Sequence, residues 1–138
     1  MTNRIFCFLV IASLCSCQSK DNKKEEAKNS YEASKANLLD KEKSNPANFL
    51  TVSGHDKHNL IGQMVVKGTI LNKATVASFK DIDVKLEFYS KTGSLLETDH
   101  ETVYEVLAPG ESKNFKTKYF APKGSDSVGL QVVSAKPL

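Results

Sequence analysis

Residues 47–138 of this 138-residue chain predict an all-β fold, an antiparallel β-sandwich, on three observations. Apolar and polar residues alternate with period two, the pattern of strands that bury one face. Turn-forming clusters separate the alternating runs. No stretch between them carries the spacing of an amphipathic helix. A domain of about 90 residues can hold one core of modest size.

The elements follow in order. Residues 64–71 place Met64, Val66 and Ile70 on one face, with Gly68 between them, marking a bulge or the close approach of a neighbour such as Phe88. From Ile82 to Tyr89 every even position is strongly apolar, while Asp83, Lys85 and Glu87 take the other face. Leu95 to Tyr104 is mostly polar on both faces and carries Glu97, Asp99, His100 and Glu101, as befits an edge strand that must not pair with another chain. Phe115, Thr117 and Tyr119 alternate again, as do Val128, Leu130 and Val132. Lys91-Thr92-Gly93-Ser94 reads as a hairpin turn. Ala108-Pro109-Gly110-Glu111 has Pro and Gly at the centre of a type II turn, and Lys123 to Ser127 is a further turn cluster. The domain has neither Cys nor Trp, so the cysteine–tryptophan core of antibody domains is excluded and the sandwich is Ig-like in a looser sense.

The first residues predict an address. Arg4 precedes an apolar run from Ile5 to Leu14, too short for a membrane span, which needs roughly 20 residues. A charged start, a short apolar middle and small residues before a cut fit a removable secretory signal. The ending Leu14-Cys15-Ser16-Cys17 resembles a bacterial lipobox, with residues 1–16 as signal and Cys17 as the lipidated residue. Cys17 has an aliphatic residue three positions back and a small residue before it, whereas Cys15 follows the bulky Leu14. Cleavage there removes Cys7 and Cys15, leaving no thiol for a disulfide, a nucleophile or a metal. Two or three acyl chains anchor stably where one binds reversibly.

Residues 17–46 read as the lipidated cysteine and a charged, flexible tether, partly helical near residues 24–43 and ended by Asn45-Pro46. From Gln18 to Asn45 there are seven lysines, six acids and few apolar residues. Lys20-Asp21 and Lys23-Lys24-Glu25-Glu26 loosely resemble a surface-export signal, though a hydrophilic spacer explains them better. Gln18, not an acid, argues against inner-membrane retention. The expected location is therefore the cell envelope, at the outer membrane on its periplasmic or surface face.

Gly68-Thr-Ile-Leu-Asn72, the run from Phe79 to Gly93, and Leu107-Ala-Pro-Gly-Glu-Ser-Lys-Asn-Phe115 follow one another in an order that resembles FxLYD-type and related small Ig-like modules of bacterial extracytoplasmic proteins. The resemblance covers about residues 62–135 and departs at Ser90, where those modules often have Asp. It implies an accessory or interaction module and carries no catalytic residue.

Site chemistry is sparse. His55, Asp56 and His58 offer metal-ligand types at close spacing, with His100 a further ligand if the fold brings it near. An extended strand would send His55 and His58 to opposite faces, so no metal or other cofactor is expected. Tyr89, Tyr104 and Phe120 offer an aromatic patch, though such residues more often cover the rim of a sandwich or shield strand edges. In Asp99-His100-Glu101 a strand would turn His100 away from both acids. Residues 48–138 hold eleven lysines, ten acids and no arginine, which argues against nucleic-acid recognition. The expectation is a non-enzymatic, lipid-anchored module for an envelope protein partner, held to the membrane through Cys17. The alternative is a ligand-binding lipoprotein presenting a small molecule, glycan or metal to a transporter.

Overall fold

The computed structural model describes residues 21–58 and 63–138, with side chains from Lys28 onward. The signal segment, Cys17 and the side chains of the Lys20–Glu26 cluster lie outside the described residues. The chain divides into residues 1–33 and 34–138. Helix α1 runs over Asp21–Ser44 and is followed by a single 3-10 turn at Pro46–Asn48. Its Glu-, Lys- and Ala-rich sequence favours helix, Lys41 and Lys43 in the last turn suit the helix dipole, and Pro46 prevents continuation.

Six strands follow: β1 (Leu50–His58), β2 (Met64–Asn72), β3 (Phe79–Ser90), β4 (Leu95–Val103), β5 (Ser112–Tyr119) and β6 (Ser125–Pro137). They form two antiparallel three-stranded sheets, sheet A in the order β1-β2-β5 and sheet B in the order β4-β3-β6. The alternation in the sequence is the reason. Met64, Val66 and Ile70 from β2 and Ile82, Val84, Leu86 and Phe88 from β3 are all buried. Leu130 joins the two halves of the core, packing against both the Ile70–Phe79 and the Met64–Phe88 groups. The expected edge strand is β4, bordering sheet B.

The turns use glycine where the backbone is left-handed. Gly93 and Gly110 have φ of 77° and 75°, and the Glu111 amide donates to the Ala108 carbonyl at 3.0 Å. Asp81 is a non-glycine residue at φ 47°, beside the register shift between β3 and β6, and its carboxylate meets Lys136 at 2.9 Å.

Two observations differ from the reading of the sequence. Residues 50–58, with the His55–His58 cluster, form a full strand that is not among the alternating runs of the sequence, pairing with β2 from Leu50↔Asn72 to His58↔Met64. The neighbour that requires Gly68 is Phe115, not Phe88: a β-carbon at Gly68 would overlap the Phe115 ring. Gly54, opposite Gly68, is equally constrained, since a β-carbon there would lie 2.6 Å from both Leu130 Cδ1 and the Lys67 carbonyl oxygen. Leu130 can rotate away; the paired backbone carbonyl cannot. Gly54→Ala is therefore expected to cost about 2 kcal/mol, measured as a lower urea midpoint with an unchanged denaturant slope.

Leu39 and Glu42, both within the stretch whose composition reads as tether, pack on the sandwich. Leu39 lies against the core, and Glu42 is 1% exposed. The Glu42 carboxylate accepts the backbone N–H groups of Thr75, Val76 and Ala77 at 2.7, 3.0 and 2.8 Å. Next to it, buried Asn72 ties the same β2–β3 loop to the Leu107 segment through its side-chain amide.

Candidate functional site

The outer face of sheet A is where exposed chemistry concentrates. Because β1, β2 and β5 pair in register, their outward side chains form rows across the sheet. Ser53, Thr69 and Asn114 make one row, and His55, Lys67 and Lys116 the next. Lys57, Val65 and Lys118 follow. Thr69 Oγ1 donates to Asn114 Oδ1 at 2.7 Å, fixing the first row. Between the first two rows lies an open saddle of about 600 Å³ whose floor is the backbone at Gly54, Gly68 and Phe115.

No outward position on these three strands carries a carboxylate. Lys57, Lys67, Lys116 and Lys118 are exposed, and none takes part in an ion pair among the described residues. Adjacent strands lie about 4.8 Å apart and alternate residues about 6.8 Å. Neighbouring lysines on this grid, such as Lys67 and Lys116 or Lys116 and Lys118, thus stand about 5–8 Å apart, within a Debye length of about 8 Å at physiological salt, while Lys57 and Lys118 stand about 10 Å apart across two strand spacings.

Sheet B is sorted differently. On its outer face the His100 Nδ1 meets both Asp83 carboxylate oxygens at 3.0 Å. Glu87 accepts from Tyr89 at 2.8 Å and pairs with Lys85 at 2.7 Å. The hydrogen bond from Lys85, then that from Tyr89, holds the Glu87 carboxyl below its ordinary value. The acids Glu97, Asp99 and Glu101 stand opposite Phe88, Leu86 and Val84, on the inward side of edge strand β4. Glu101 there accepts from Thr117 and Tyr119 at 2.9 and 2.8 Å, closing the sandwich between β4 and β5. Burial, and then this bond, pushes the Tyr119 hydroxyl up to about 12.

The residues singled out in the sequence are dispersed by the fold. Strand β1 sends His55 outward and Asp56 and His58 to the opposite side. His100 belongs to the other sheet. Among the described residues no three His, Cys, Asp or Glu side chains gather around a common point. Within Asp99-His100-Glu101, His100 faces Asp83 rather than its neighbours' carboxylates. Tyr89 and Tyr104 lie toward opposite ends of the β3–β4 hairpin, since Tyr89 pairs with Leu95 and Ile82 with Val103. Tyr104 and Phe120 are 76% and 78% exposed. The lysine face itself went unread. The alternation of Lys116 and Lys118 with Phe115, Thr117 and Tyr119 was visible, but their alignment with Lys57 and Lys67 is set by strand register.

No protein-family model matches the chain. No curated protein matches it either. The FxLYD resemblance accordingly rests on the short motifs that carry it. A solved structure, a DUF1425 family member from Shewanella sp. pv-4, is similar at 16% sequence identity and a TM-score of 0.46, over 62% of this chain and 78% of that one.

Proposed function

We propose that this chain is a lipid-anchored cell-envelope protein whose β-sandwich is a non-enzymatic accessory module that binds a partner and does not transform it. The observation that carries this reading is the sorting of charge between the sheets. Residues 48–138 are close to neutral, with eleven lysines against ten acids, yet one whole sheet face holds lysines and no carboxylate. Unpaired like charges held together on a rigid sheet favour an anionic partner. Elsewhere the polar groups that meet serve the fold: Glu42 holds a loop, Glu101 closes the sandwich and Asp83 pairs with His100.

The test is a photo-crosslinking residue placed at Thr69, on the lysine face, and at Gln131, on sheet B, in the producing cells. A defined envelope component captured from Thr69 and not from Gln131 supports the module. The saddle at Gly54 and Gly68 favours one second reading, a carrier of a small ligand. Native mass spectrometry of the purified protein with a stoichiometric bound molecule, and no crosslink in cells, would replace the first reading with that one.

The anchor has its own prediction. Cys17→Ser is expected to shift the protein from the membrane fraction to the soluble fraction or to leave uncleaved precursor. Cys15→Ser should change neither. Acyl labelling that persists without Cys17 would refute the assignment.

A further inference from the structure

We infer that the lysine face of sheet A docks on anionic phospholipid headgroups, so that the sandwich lies with this face against a bilayer. The inference deepens the binding-module reading and rests on it, naming the partner as a charged lipid surface.

Three features favour a headgroup layer over an acidic protein. The first is composition. Hot spots of protein interfaces are built from Trp, Tyr and Arg, and interface cores are poor in Lys and Ser. The outward positions of β1, β2 and β5 contain no Trp, Tyr, Phe or Arg; beside His55, their charge comes from Lys57, Lys67, Lys116 and Lys118. The second is shape. All four lysines stand on one side of a three-stranded sheet and can reach a planar array of phosphates together. Val65, between Lys57 and Lys118, and Leu71, two rows from Lys67, are half-buried and project no apolar anchor for a protein pocket. The third is the kind of cation. A lysine ammonium is a point charge on a flexible stem and needs no fixed carboxylate geometry, unlike an arginine fork. Such charges bind mobile headgroups additively, at about fivefold in partitioning for each lysine near the surface. Acyl anchoring and a polybasic patch are complementary membrane signals.

The test uses the full chain purified from membranes and reconstituted into vesicles of phosphatidylcholine alone or with phosphatidylglycerol. A water-soluble amine-acetylating reagent then reads each lysine by mass spectrometry. Lys57, Lys67, Lys116 and Lys118 should be protected severalfold when phosphatidylglycerol is present, and high salt should remove the protection. Lys91, on the β3–β4 turn, and the exposed Lys136, on β6 of sheet B, should label equally in both vesicles. In the chain without the acyl group, the variant Lys67→Gln with Lys116→Gln should lower partitioning about 25-fold, two lysines at about fivefold each. Because both side chains are exposed, it should melt at the wild-type temperature.

Equal labelling of the face in both vesicles would overturn the inference. So would protection abolished by millimolar inorganic phosphate at constant ionic strength, which would mark a discrete phosphate site in the saddle. A protein crosslinked at Thr69, with no lipid-dependent protection, would overturn the lipid partner and leave the binding module standing. Intact-mass measurement reads the acyl group beforehand. A chain without it is mixed with the same vesicles, so that a failed anchor and a failed docking face give different results.

Discussion

Replacing Glu42 with alanine should lower the thermal midpoint of residues 34–138 by about 10–20 °C, the equivalent of about 3 kcal/mol for a domain of this size. The carboxylate takes three successive backbone N–H groups, from Thr75, Val76 and Ala77. Without it the Ala77 amide, in a buried residue, is left with no acceptor, and a donor stranded away from water costs more than the bond was worth. Glu42→Gln should cost less, because one side-chain oxygen remains while an NH2 group now faces amide donors.

The pH dependence separates charge from packing. Burial raises the Glu42 carboxyl, but the backbone donors of Thr75, Ala77 and Val76 together outweigh it and hold the group below its ordinary 4.5. The unfolded chain therefore binds this proton more readily than the folded one. The contribution is complete above the unfolded value and is lost as pH falls through the lower, folded value. Urea midpoints of wild type and Glu42→Gln should stay well apart at neutral pH and converge below 4.5. A gap of constant size down to acid unfolding would show that the ionised carboxylate is not what holds the loop.

Glu42 also shows where the sequence could be read and where it could not. The core of β2 and β3 was legible because each strand buries one face, so Met64, Val66, Ile70 and the even positions from Ile82 to Phe88 declare themselves by period alone. The turns at Gly93 and Gly110 were legible because left-handed backbone favours glycine. Strand β1 was not, since its inward positions include Gly54 and Asp56, and only its pairing with β2 shows it as a strand. Glu42 was hidden for a different reason. It sits among Lys41, Lys43 and Asp40 in a segment whose composition matches a solvated spacer, and nothing local distinguishes one carboxylate from its neighbours. Its partners are more than thirty residues away, in the β2–β3 loop. The lysine face is hidden in the same way, because register and not composition brings Lys57, Lys67, Lys116 and Lys118 to one surface.

Asn72 should be the other position at which a single substitution is severe. Its side chain is fully buried, and each of its polar atoms is used. Nδ2 donates to the carbonyls of Ala77 and Leu107 at 2.9 and 3.2 Å, and Oδ1 accepts the Ala74 amide at 2.9 Å. Its backbone pairs with Glu111 and Gly110 in the turn before β5. Asn72→Leu keeps most of the volume and removes all three side-chain bonds, so it isolates hydrogen bonding from packing. A loss of about 3 kcal/mol is expected, with faster hydrogen exchange at the Ala74 amide as the local signature. Asn72→Asp should be worse at neutral pH, since a carboxylate oxygen would face two carbonyls where an NH2 now donates. Wild-type stability in Asn72→Leu would mean that shape alone sets this corner. Because Asn72 and Glu42 both grip residues 74–77, their effects should not add. Once Glu42→Ala has loosened the loop, Asn72→Leu has less left to break, and the double variant should fall short of the sum by about 1 kcal/mol. Strict additivity would instead show two independent anchors, and would locate the stiffness of this end of the sandwich in the strands and not in the loop they share.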